Sequence, residues 1–253
     1  MKTLVILLGN ARGGEETWNS MYKHLLEPLN ADLALLFGKT DNKSVSLYSK
    51  AKYVWELEEY KDWKDYYVEN CKGLWYEVFN RYPCSGLGGG IESLHGSGGI
   101  TFAFRHFLKN NFKHIGELYD QIILTRSDFY YIDDHPVLPN DTLYIVEGED
   151  WGGVTDRHHV FPVSLWDKIL GIVEHIEEDK LRNCNANPEQ ALKQLFNYHQ
   201  IEYKRFKRTQ FTVAVKEDPT RWCRASKKMP GSDTILLKYV KEYDMAIENL
   251  QNK

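Results

Sequence analysis

Two acidic clusters each follow an apolar segment that has the pattern of a buried strand. The first is Asp128, at the end of the sequence TRSD, directly after the β-branched run Gln121–Thr125. The second occupies residues 147–157, with the sequence EGEDWGGVTDR, after a predicted strand over Thr142–Val146. In open α/β sheets, ligands collect outside the carboxyl ends of such strands. We therefore expect the two clusters to lie in one active site.

Asp128 is placed where a carboxylate can hold a divalent cation against a diphosphate. Hard cations such as Mg²⁺ and Mn²⁺ prefer oxygen ligands, and proteins often bind them through one or two carboxylates together with substrate phosphates. Arg126 precedes Asp128, and the aromatic residues 129–131 follow it. A divalent cation held against a diphosphate is the chemistry of a sugar-nucleotide transferase. The alternative is structural, because Ser and Asp commonly cap the turn that follows a strand.

The second cluster contains carboxylates suited to proton transfer at a sugar hydroxyl. Inverting glycosyl transfer needs a carboxylate that removes the proton of the acceptor, and the candidates are Glu149, Asp150 and Asp156. Gly152 and Gly153 let the chain bend sharply, so that carboxylates on either side point into one cleft. A retaining mechanism would need no such external base.

Trp151 and Arg157 complete this segment. Trp151 offers a flat apolar face for a sugar ring, so we expect it to contact the acceptor together with Glu149 and the two glycines. Arg157 orients Asp156 or binds oxygens of the donor or acceptor. The alternative is that Asp156 and Arg157 form a salt bridge that braces the turn, which contributes little to stability where it is exposed.

A glycine-containing turn over residues 9–14, with the sequence GNARGG, follows the apolar run Thr3–Leu8. Backbone N–H groups in such a turn can approach an anion, and Arg12 can pair with a phosphate or contact a base. The segment matches neither the GxGxxG fingerprint nor the P-loop pattern. The alternative is an ordinary strand-to-helix turn with Thr17 or Glu15 near the helix cap.

The order of the predicted elements favours a parallel α/β sheet. A strand over Thr3–Leu8, a helix over Glu15–Leu29 and a strand over Leu33–Phe37 alternate at the start of the chain. A short extended segment begins at Tyr53. The remaining predictions are helices over Trp63–Tyr82, Ile100–Asn110, Val163–Glu178, Pro188–His199 and Ile235–Leu250, and a strand over Gln210–Val215.

Other polar and glycine-rich segments are less specific. The glycine content of residues 85–99 predicts a mobile lid over the bound donor. Residues 133–135, DDH, are expected in a solvated turn. His158 and His159 are adjacent, so an extended strand would point them to opposite faces, with at most one toward the site. The basic run 204–208 either closes over the diphosphate or forms a solvated face.

Composition limits the class of protein. A chain of 253 residues with 42% hydrophobic content buries one substantial core, and we predict a single domain with its donor part over residues 1–130 and its acceptor part over residues 131–253. The formal charge of −4 provides no basic field for nucleic acid. The four cysteines have no CxxC spacing, which favours a reducing, cytoplasmic location. The apolar run Leu4–Leu8 is too short for a transmembrane segment.

Four motifs carry a family resemblance. They are LGNAR at 8–12, GSGG at 96–99 before RHF at 105–107, TRSDFY at 125–130, and the segment 147–157. In combination they resemble small GT-A-fold glycosyltransferases, which occur in bacterial surface-polysaccharide clusters and in large algal viruses. The resemblance covers the chain up to residue 157, and each motif is weak singly.

The resemblance implies a GT-A-like, Rossmann-like sheet that is mixed, mostly parallel and flanked by helices. The implied partners are a nucleoside-diphosphate sugar, with UDP or GDP, and a glycan acceptor, and the implied cofactor is Mn²⁺ or Mg²⁺ held by Asp128. Contacts to the donor are implied for Gly9, Asn10, Arg12, Gly13, Arg105, Arg126, Ser127 and Asp128.

The chain departs from the family at the metal motif. The family usually presents two acidic residues separated by one position, whereas this chain supplies Asp128 alone. Either Asp128 holds the ion through the diphosphate and waters, with help from a late residue such as His158, or Arg126 replaces part of the charge of the metal.

Asp156 is the preferred catalytic base and Asp150 the second choice, because related-looking sequences keep the Asp-Arg pair without the Glu-Asp pair. The expected function is transfer of a sugar to a glycan hydroxyl, inverting and assisted by a metal. Two other classes stay open, namely a methyltransferase, for which the glycines 86–90 could be invoked, and a non-catalytic carbohydrate-binding protein.

Overall fold

Short apolar segments pair as strands at the centre of the molecule. The computed structural model describes residues 1–81, 98–178, 180, 187–218 and 227–253. Its strands are β1 (Thr3–Gly9), β2 (Asp32–Gly38), β3 (Tyr53–Leu57), β4 (Gln121–Thr125), β5 (Phe129–Tyr131), β6 (Leu143–Val146), β7 (His159–Pro162), β8 (Tyr203–Phe206), β9 (Gln210–Val215), β10 (Lys227–Lys228) and β11 (Ile235–Leu237).

Seven of these strands form the main sheet, in the order β3-β2-β1-β4-β7-β6-β8. The neighbouring pairs are parallel except that β7 runs antiparallel to both β4 and β6. Helices flank this sheet, so the prediction of an α/β fold with a mixed, mostly parallel sheet is confirmed.

A second, four-stranded sheet has the order β10-β11-β9-β5 and is antiparallel in each pairing. Of its strands the sequence predicted only β9, because the others are two or three residues long and have no room for a diagnostic alternation. β5 begins directly after Asp128, so this small sheet extends from the first acidic cluster.

Helices pack on both faces of the main sheet. They are α1 (Gly14–Met21), α2 (Glu27–Leu29), α3 (Ser46–Lys50), α4 (Lys64–Asn70), α5 (Leu74–Arg81), α6 (Gly98–Gly116), α7 (Trp166–Leu170), α8 (Ile172–Glu177), α9 (Pro188–Tyr198) and α10 (Val240–Gln251). A π-helical turn, Tyr22–Leu26, joins α1 to α2, so the predicted helix over Glu15–Leu29 is helical throughout. No helix in the described ranges is both long and apolar enough to cross a membrane.

Three predicted helices are divided or shortened in the structure. The segment Trp63–Tyr82 divides into α4 and α5 because Cys71 is extended, which ends α4, and Gly73 then adopts a φ of 113° directly before α5. The segment Val163–Glu178 begins with a 3₁₀ turn and divides again at Gly171. The last helix starts at Val240, because Ile235–Leu237 pairs with β9 as a strand.

One prediction about a polar turn is wrong, and the basic run 204–208 forms a strand whose lysines are exposed. His135 is only 2% exposed, and its backbone N–H donates to the backbone carbonyl of His24 at 2.7 Å. Residues 133–135 are therefore not a wholly solvated turn. The basic run 204–208 contributes β8, the edge strand of the main sheet, with Phe206 buried. Lysine and arginine suit an edge strand because charged side chains oppose pairing with another chain. The predicted lid over residues 85–99 lies outside the described residues except for Gly98 and Gly99, which begin α6.

The last helix is fixed by a buried carboxylate. Glu242 of α10 is 1% exposed and accepts hydrogen bonds from Nη1 of Arg157 at 3.0 Å and from the backbone N–H of Thr212 at 2.6 Å. Nη1 of the buried Arg208 lies 3.5 Å from the same carboxylate. Glu242 therefore connects the end of the chain to β9 and to the segment 147–157.

Replacing Glu242 by Ala is expected to lower the free energy of unfolding by about 3–5 kcal/mol, because it leaves two buried guanidinium groups without their carboxylate. Urea denaturation at pH 7 measures the change. The control is Asp141→Ala, which removes an exposed 2.8 Å ion pair with Lys204 and should change the same free energy by less than about 1 kcal/mol. Equal effects of the two substitutions would contradict this role of Glu242.

Candidate active site

A cavity of about 520 Å³ lies beyond the carboxyl ends of β1 and β4. These two strands are adjacent in the sheet. The next strand along the chain, β2, pairs with β1 on one side, and β4 pairs with β1 on the other side. That is the crevice where open α/β sheets bind ligands. Both acidic clusters reach it, through Asp128 and Asp156.

Ten of the residues singled out from the sequence line this cavity, and six do not. Those that line it are Gly9, Asn10, Arg12, Arg105, Arg126, Ser127, Asp128, Trp151, Asp156 and Arg157. Those outside it are Gly13, Glu149, Asp150, Gly152, Gly153 and His158.

The turn after β1 is joined to the turn after β4 by the hydroxyl of Ser127. This hydroxyl donates to the carbonyl of Asn10 at 2.6 Å and accepts from the backbone N–H of Arg12 at 3.0 Å. A side chain on Gly13 would place its Cβ 3.2 Å from the Cα of Asp128, so glycine permits the close approach. The N–H of Gly13 donates to Asp218 at 3.1 Å. Gly13 therefore serves packing here, and its amide is already bonded to a carboxylate.

The strongest interaction in the cavity is the ion pair between Arg126 and Asp128. Nε and Nη2 of Arg126 each donate to one carboxylate oxygen at 2.7 Å, in the bidentate arrangement typical of arginine. Burial alone would raise the pKa of Asp128, but Arg126, with Lys238 and Arg12 behind it, holds that pKa well below its ordinary value. Asp128 is therefore ionised and already neutralised by a side chain.

Lys238 is a cavity residue that the sequence did not indicate. Its Nζ lies 3.8 Å from Oδ2 of Asp128, and the side chain is buried. Burial, followed by the charge of Arg126, lowers the pKa of Lys238 to about 8, against the opposing effect of Asp128. No motif marks this lysine, because its position follows from the pairing of β11 with β9.

Arg105 and Arg12 carry buried nitrogens without partners. Arg105 is 1% exposed, and its Nη2 donates to the backbone carbonyl of Asp156 at 2.9 Å, while its Nε and Nη1 have no hydrogen-bond partner among the residues that the structure describes. The same holds for Nε of Arg12, an atom that is buried although the residue is partly exposed. Burial lowers the pKa of Arg105 to about 10, against the charge of Asp156. Buried donors without acceptors are costly, so both groups are suited to receive an anion.

His158 belongs to a buried chain of hydrogen bonds. Nδ1 of His135 must donate to the carbonyl of Pro136 at 2.9 Å, since a carbonyl only accepts. Nε2 of His135 then accepts from Nε2 of His158 at 3.1 Å, and Nδ1 of His158 accepts from the hydroxyl of Thr125 at 2.9 Å. Both rings are therefore neutral, and neither nitrogen of His158 is free to bind an ion.

The residues present do not fit a divalent metal at Asp128. Its two oxygens are bonded to Arg126, Lys238 is close by, and His158 is engaged elsewhere. Within the ranges that the structure describes, no group of three or more His, Cys, Asp or Glu side chains could hold a metal ion. Of the two arrangements left open by the sequence, the donor set favours the one in which arginine supplies the positive charge.

The acidic segment 147–157 is a sharply bent loop. Gly148, Glu149, Trp151 and Gly152 have φ values of 87°, 57°, 43° and 84°, so two non-glycine residues adopt the left-handed conformation. The loop leaves Trp151 49% exposed at the cavity. This is the bend that the glycines predicted.

Asp150 braces this loop. Its carboxylate accepts from the backbone N–H of Thr155 at 3.0 Å and lies 2.9 Å from Nη2 of Arg205. Asp156 remains at the cavity, and its partner Arg157 is 4.0 Å away but lies closer to Glu242. The guanidinium of Arg157 also stacks on Tyr239 at 4.4 Å. Arg157 is thus primarily an internal ion-pair partner of Glu242.

The sequence analysis did not indicate four further residues, of which three line the cavity and one bonds the turn after β1: Glu59, Glu189, Tyr239 and Asp218. Glu59 follows β3, and its carboxylate occupies the space beside Gly38. Glu189 follows Pro188 at the start of α9, a helix that the sequence predicted correctly. The strand-end rule used for Asp128 could have indicated Glu59, whereas Glu189 and Tyr239 depend on packing between distant elements.

Neither the models of known protein families nor the curated proteins contain a significant match to this chain. Its fold and cavity define an α/β protein with a cation-rich crevice at the carboxyl ends of β1 and β4.

The neutral histidine chain predicts acid sensitivity. Burial lowers the pKa of His135 to about 4 from 6.5, so the unfolded state binds more protons than the folded state between these values. Stability should therefore fall as the pH decreases through that window, by roughly 3 kcal/mol for this group. Denaturation from pH 7.5 to pH 4.5 should show a smaller loss for His135→Gln than for the natural protein.

Gln can still accept the hydrogen bond from His158, so this variant removes a titrating group without removing the acceptor. The control is His114→Gln, which replaces an exposed ring on α6 and should leave the pH dependence unchanged. An identical pH dependence for His135→Gln and the natural protein would show that the two hydrogen-bonded histidines are not the acid-sensitive element.

Proposed function

We propose that this protein is a glycosyltransferase that moves a sugar from a nucleoside-diphosphate sugar to a hydroxyl of a glycan. The observation that carries the proposal is a set of buried guanidinium nitrogens at the cavity, Nε and Nη1 of Arg105 and Nε of Arg12, that have no hydrogen-bond partner among the described residues. Together with Arg126 and Lys238, which share the single carboxylate of Asp128, they collect positive charge at the edge where α/β sheets bind nucleotides. A diphosphate carries the negative charge and the oxygen acceptors that these groups lack.

The same cations suit the chemistry of a departing diphosphate. As the bond from the sugar to the phosphate breaks, negative charge collects on the phosphate oxygens, and fixed cations stabilise it. Arg126 is held rigidly by Asp128 at 2.7 Å, so it keeps its orientation without a ligand. No metal is required for this step, because side chains supply the positive charge.

The acceptor is proposed to bind between Trp151 and Asp156. The exposed indole of Trp151 provides an apolar surface for a sugar ring. Asp156 lines the cavity, whereas Asp150 is bonded within the loop, which supports Asp156 as the base that removes the hydroxyl proton. The finer assignments, namely a GT-A type of fold, a UDP or GDP donor, an inverting outcome and a cytoplasmic location, form part of the same proposal.

Arg105→Met is expected to weaken binding of UDP or GDP by at least about tenfold, because a charged hydrogen bond to phosphate contributes about 1.5–3 kcal/mol. It should not destabilise the ligand-free protein, because the guanidinium has two unpartnered nitrogens there. Isothermal titration in EDTA measures the affinity, and urea denaturation measures the stability.

The matched control is Lys113→Met on the same helix, where the lysine is paired with Asp167 away from the cavity. It should leave nucleotide affinity unchanged. The proposal would be wrong if neither UDP nor GDP bound the natural protein with or without Mn²⁺, and binding of S-adenosylmethionine instead would favour a methyltransferase.

Asp156→Asn is expected to reduce the rate of transfer by about 10²-fold or more while leaving nucleotide affinity within a few-fold. The amide keeps the size of the side chain but cannot accept the hydroxyl proton. Asp150→Asn is the comparison, and it should have a smaller effect because Asp150 lies outside the cavity. Nucleotide binding without transfer by the natural protein to any glycan would favour a carbohydrate-binding protein.

A further inference from the structure

Glu189 is held at the cavity by its main chain. It is the second residue of α9, after Pro188, and the side chain of Asn187 caps this helix by accepting the N–H of Gln190 at 2.9 Å. The carbonyl of Glu189 accepts the backbone N–H of Val154 at 2.9 Å. The start of α9 is thus joined directly to the acidic loop.

Gly153 makes this contact closer than any other residue would permit. A Cβ at Gly153 would lie 2.0 Å from the carbonyl oxygen of Glu189, which is backbone and cannot move aside. Asp156 lies three positions further along the same loop. The spacing between the two carboxyl-bearing residues is therefore set by backbone contacts rather than by flexible side chains.

The side chain of Glu189 is buried beside more acidic than basic groups. It lines the same cavity as Asp156, it is 7% exposed, and no basic side chain of the described residues forms an ion pair with it. Charged groups that face it are Asp156, Arg157 and Glu149. Burial first, and then the charge of Asp156, raise the pKa of Glu189 to about 8.

We propose that Glu189 and Asp156 act as one acceptor-activating carboxyl pair, in which Glu189 keeps a proton and Asp156 is the base. This inference rests on the proposed glycosyl transfer. Glu189 is a positioning residue: because its carboxyl is neutral, the pair presents at most one carboxylate to a diphosphate in the cavity. Paired carboxyl groups with different proton affinities commonly divide the acid and base functions in this way.

The proton balance of the step is simple. The O–H bond of the acceptor breaks and its proton moves to a carboxylate oxygen of Asp156. The electron pair left on the acceptor oxygen forms the new bond to the anomeric carbon, and the bond from that carbon to the diphosphate breaks with its electron pair on the phosphate oxygen. The proton of Glu189 does not move, so the carboxyl pair changes its charge from −1 to 0.

The pair predicts a loss of activity at alkaline pH. Above about pH 8 Glu189 ionises, and a second negative charge then faces the donor. The KM for the sugar nucleotide should rise several-fold between pH 7.5 and pH 9.5 in the natural protein. Glu189→Gln cannot ionise at this position and should show a smaller rise, which comes from Lys238, whose pKa of about 8 makes it lose its charge in the same range.

A second readout does not need activity. The pKa of Glu189 is higher in the folded state than its ordinary value of 4.5, so the folded protein binds more protons between pH 4.5 and about pH 8 and loses stability as the pH rises through that window. The melting temperature of Glu189→Gln should therefore increase relative to the natural protein from pH 5 to pH 8. The control is Glu248→Gln, an exposed position on α10, which should show no such trend.

Carboxyl ¹³C NMR of the natural protein, labelled at glutamate, keeps the test independent of variant folding. One glutamate should titrate near pH 8. The carboxyl pair is overturned if no glutamate titrates above pH 6.5, or if Glu189→Gln shows the same alkaline rise in KM as the natural protein. If the NMR and melting results hold but no sugar nucleotide supports transfer, the protonated Glu189 stands and the proposed glycosyl transfer fails.

Discussion

The carboxylate of Asp128 is the group on which the rest of the site depends. It accepts both hydrogen bonds of the Arg126 fork and lies 3.8 Å from Lys238, where water has little access. Charges at about 4 Å interact by about 4 kcal/mol at the effective dielectric of a protein site, with either sign. Without Asp128 the two cations would repel each other in the ligand-free protein. Because one anion faces two cations, the group keeps a net positive charge and can still attract a second anion.

The small antiparallel sheet explains how the end of the chain supplies part of this cluster. β5 begins directly after Asp128 and pairs Phe129 with Thr212, and the carbonyl of Thr212 accepts the N–H of Lys238 at 3.0 Å. The register of two strand pairings therefore sets the approach of Lys238 to Asp128. The backbone of Thr212 also donates to Glu242, so the same residue positions Lys238 and anchors the last helix.

Sequence patterns predicted those features whose causes are local. β4 has the predicted limits, Gln121–Thr125, because a short β-branched run with all side chains buried has no competing periodicity. Placing Asp128 at the cavity followed from the shared edge of parallel strands. Lys238 and Glu189 could not be predicted, since each reaches the cavity through pairing with a distant segment. The expectation of a metal ligand at His158 failed for the same reason: its nitrogens are occupied by Thr125 and by His135 from another loop.

Two sets of arginines differ in whether an internal carboxylate compensates their charge. Arg157 and Arg208 share the internal carboxylate of Glu242, so their charges are compensated when the cavity is empty. Within the described part of the chain, Nε and Nη1 of Arg105 and Nε of Arg12 have no hydrogen-bond partner, and these unpaired nitrogens reduce the stability of the ligand-free state. That cost is recovered when an anion binds, so affinity and folding stability are linked at these two residues. Arg105 is as buried as Arg157 and Arg208, so burial does not separate the two sets; the difference is that Glu242 compensates Arg157 and Arg208, whereas two nitrogens of Arg105 have no hydrogen-bond partner among the described residues.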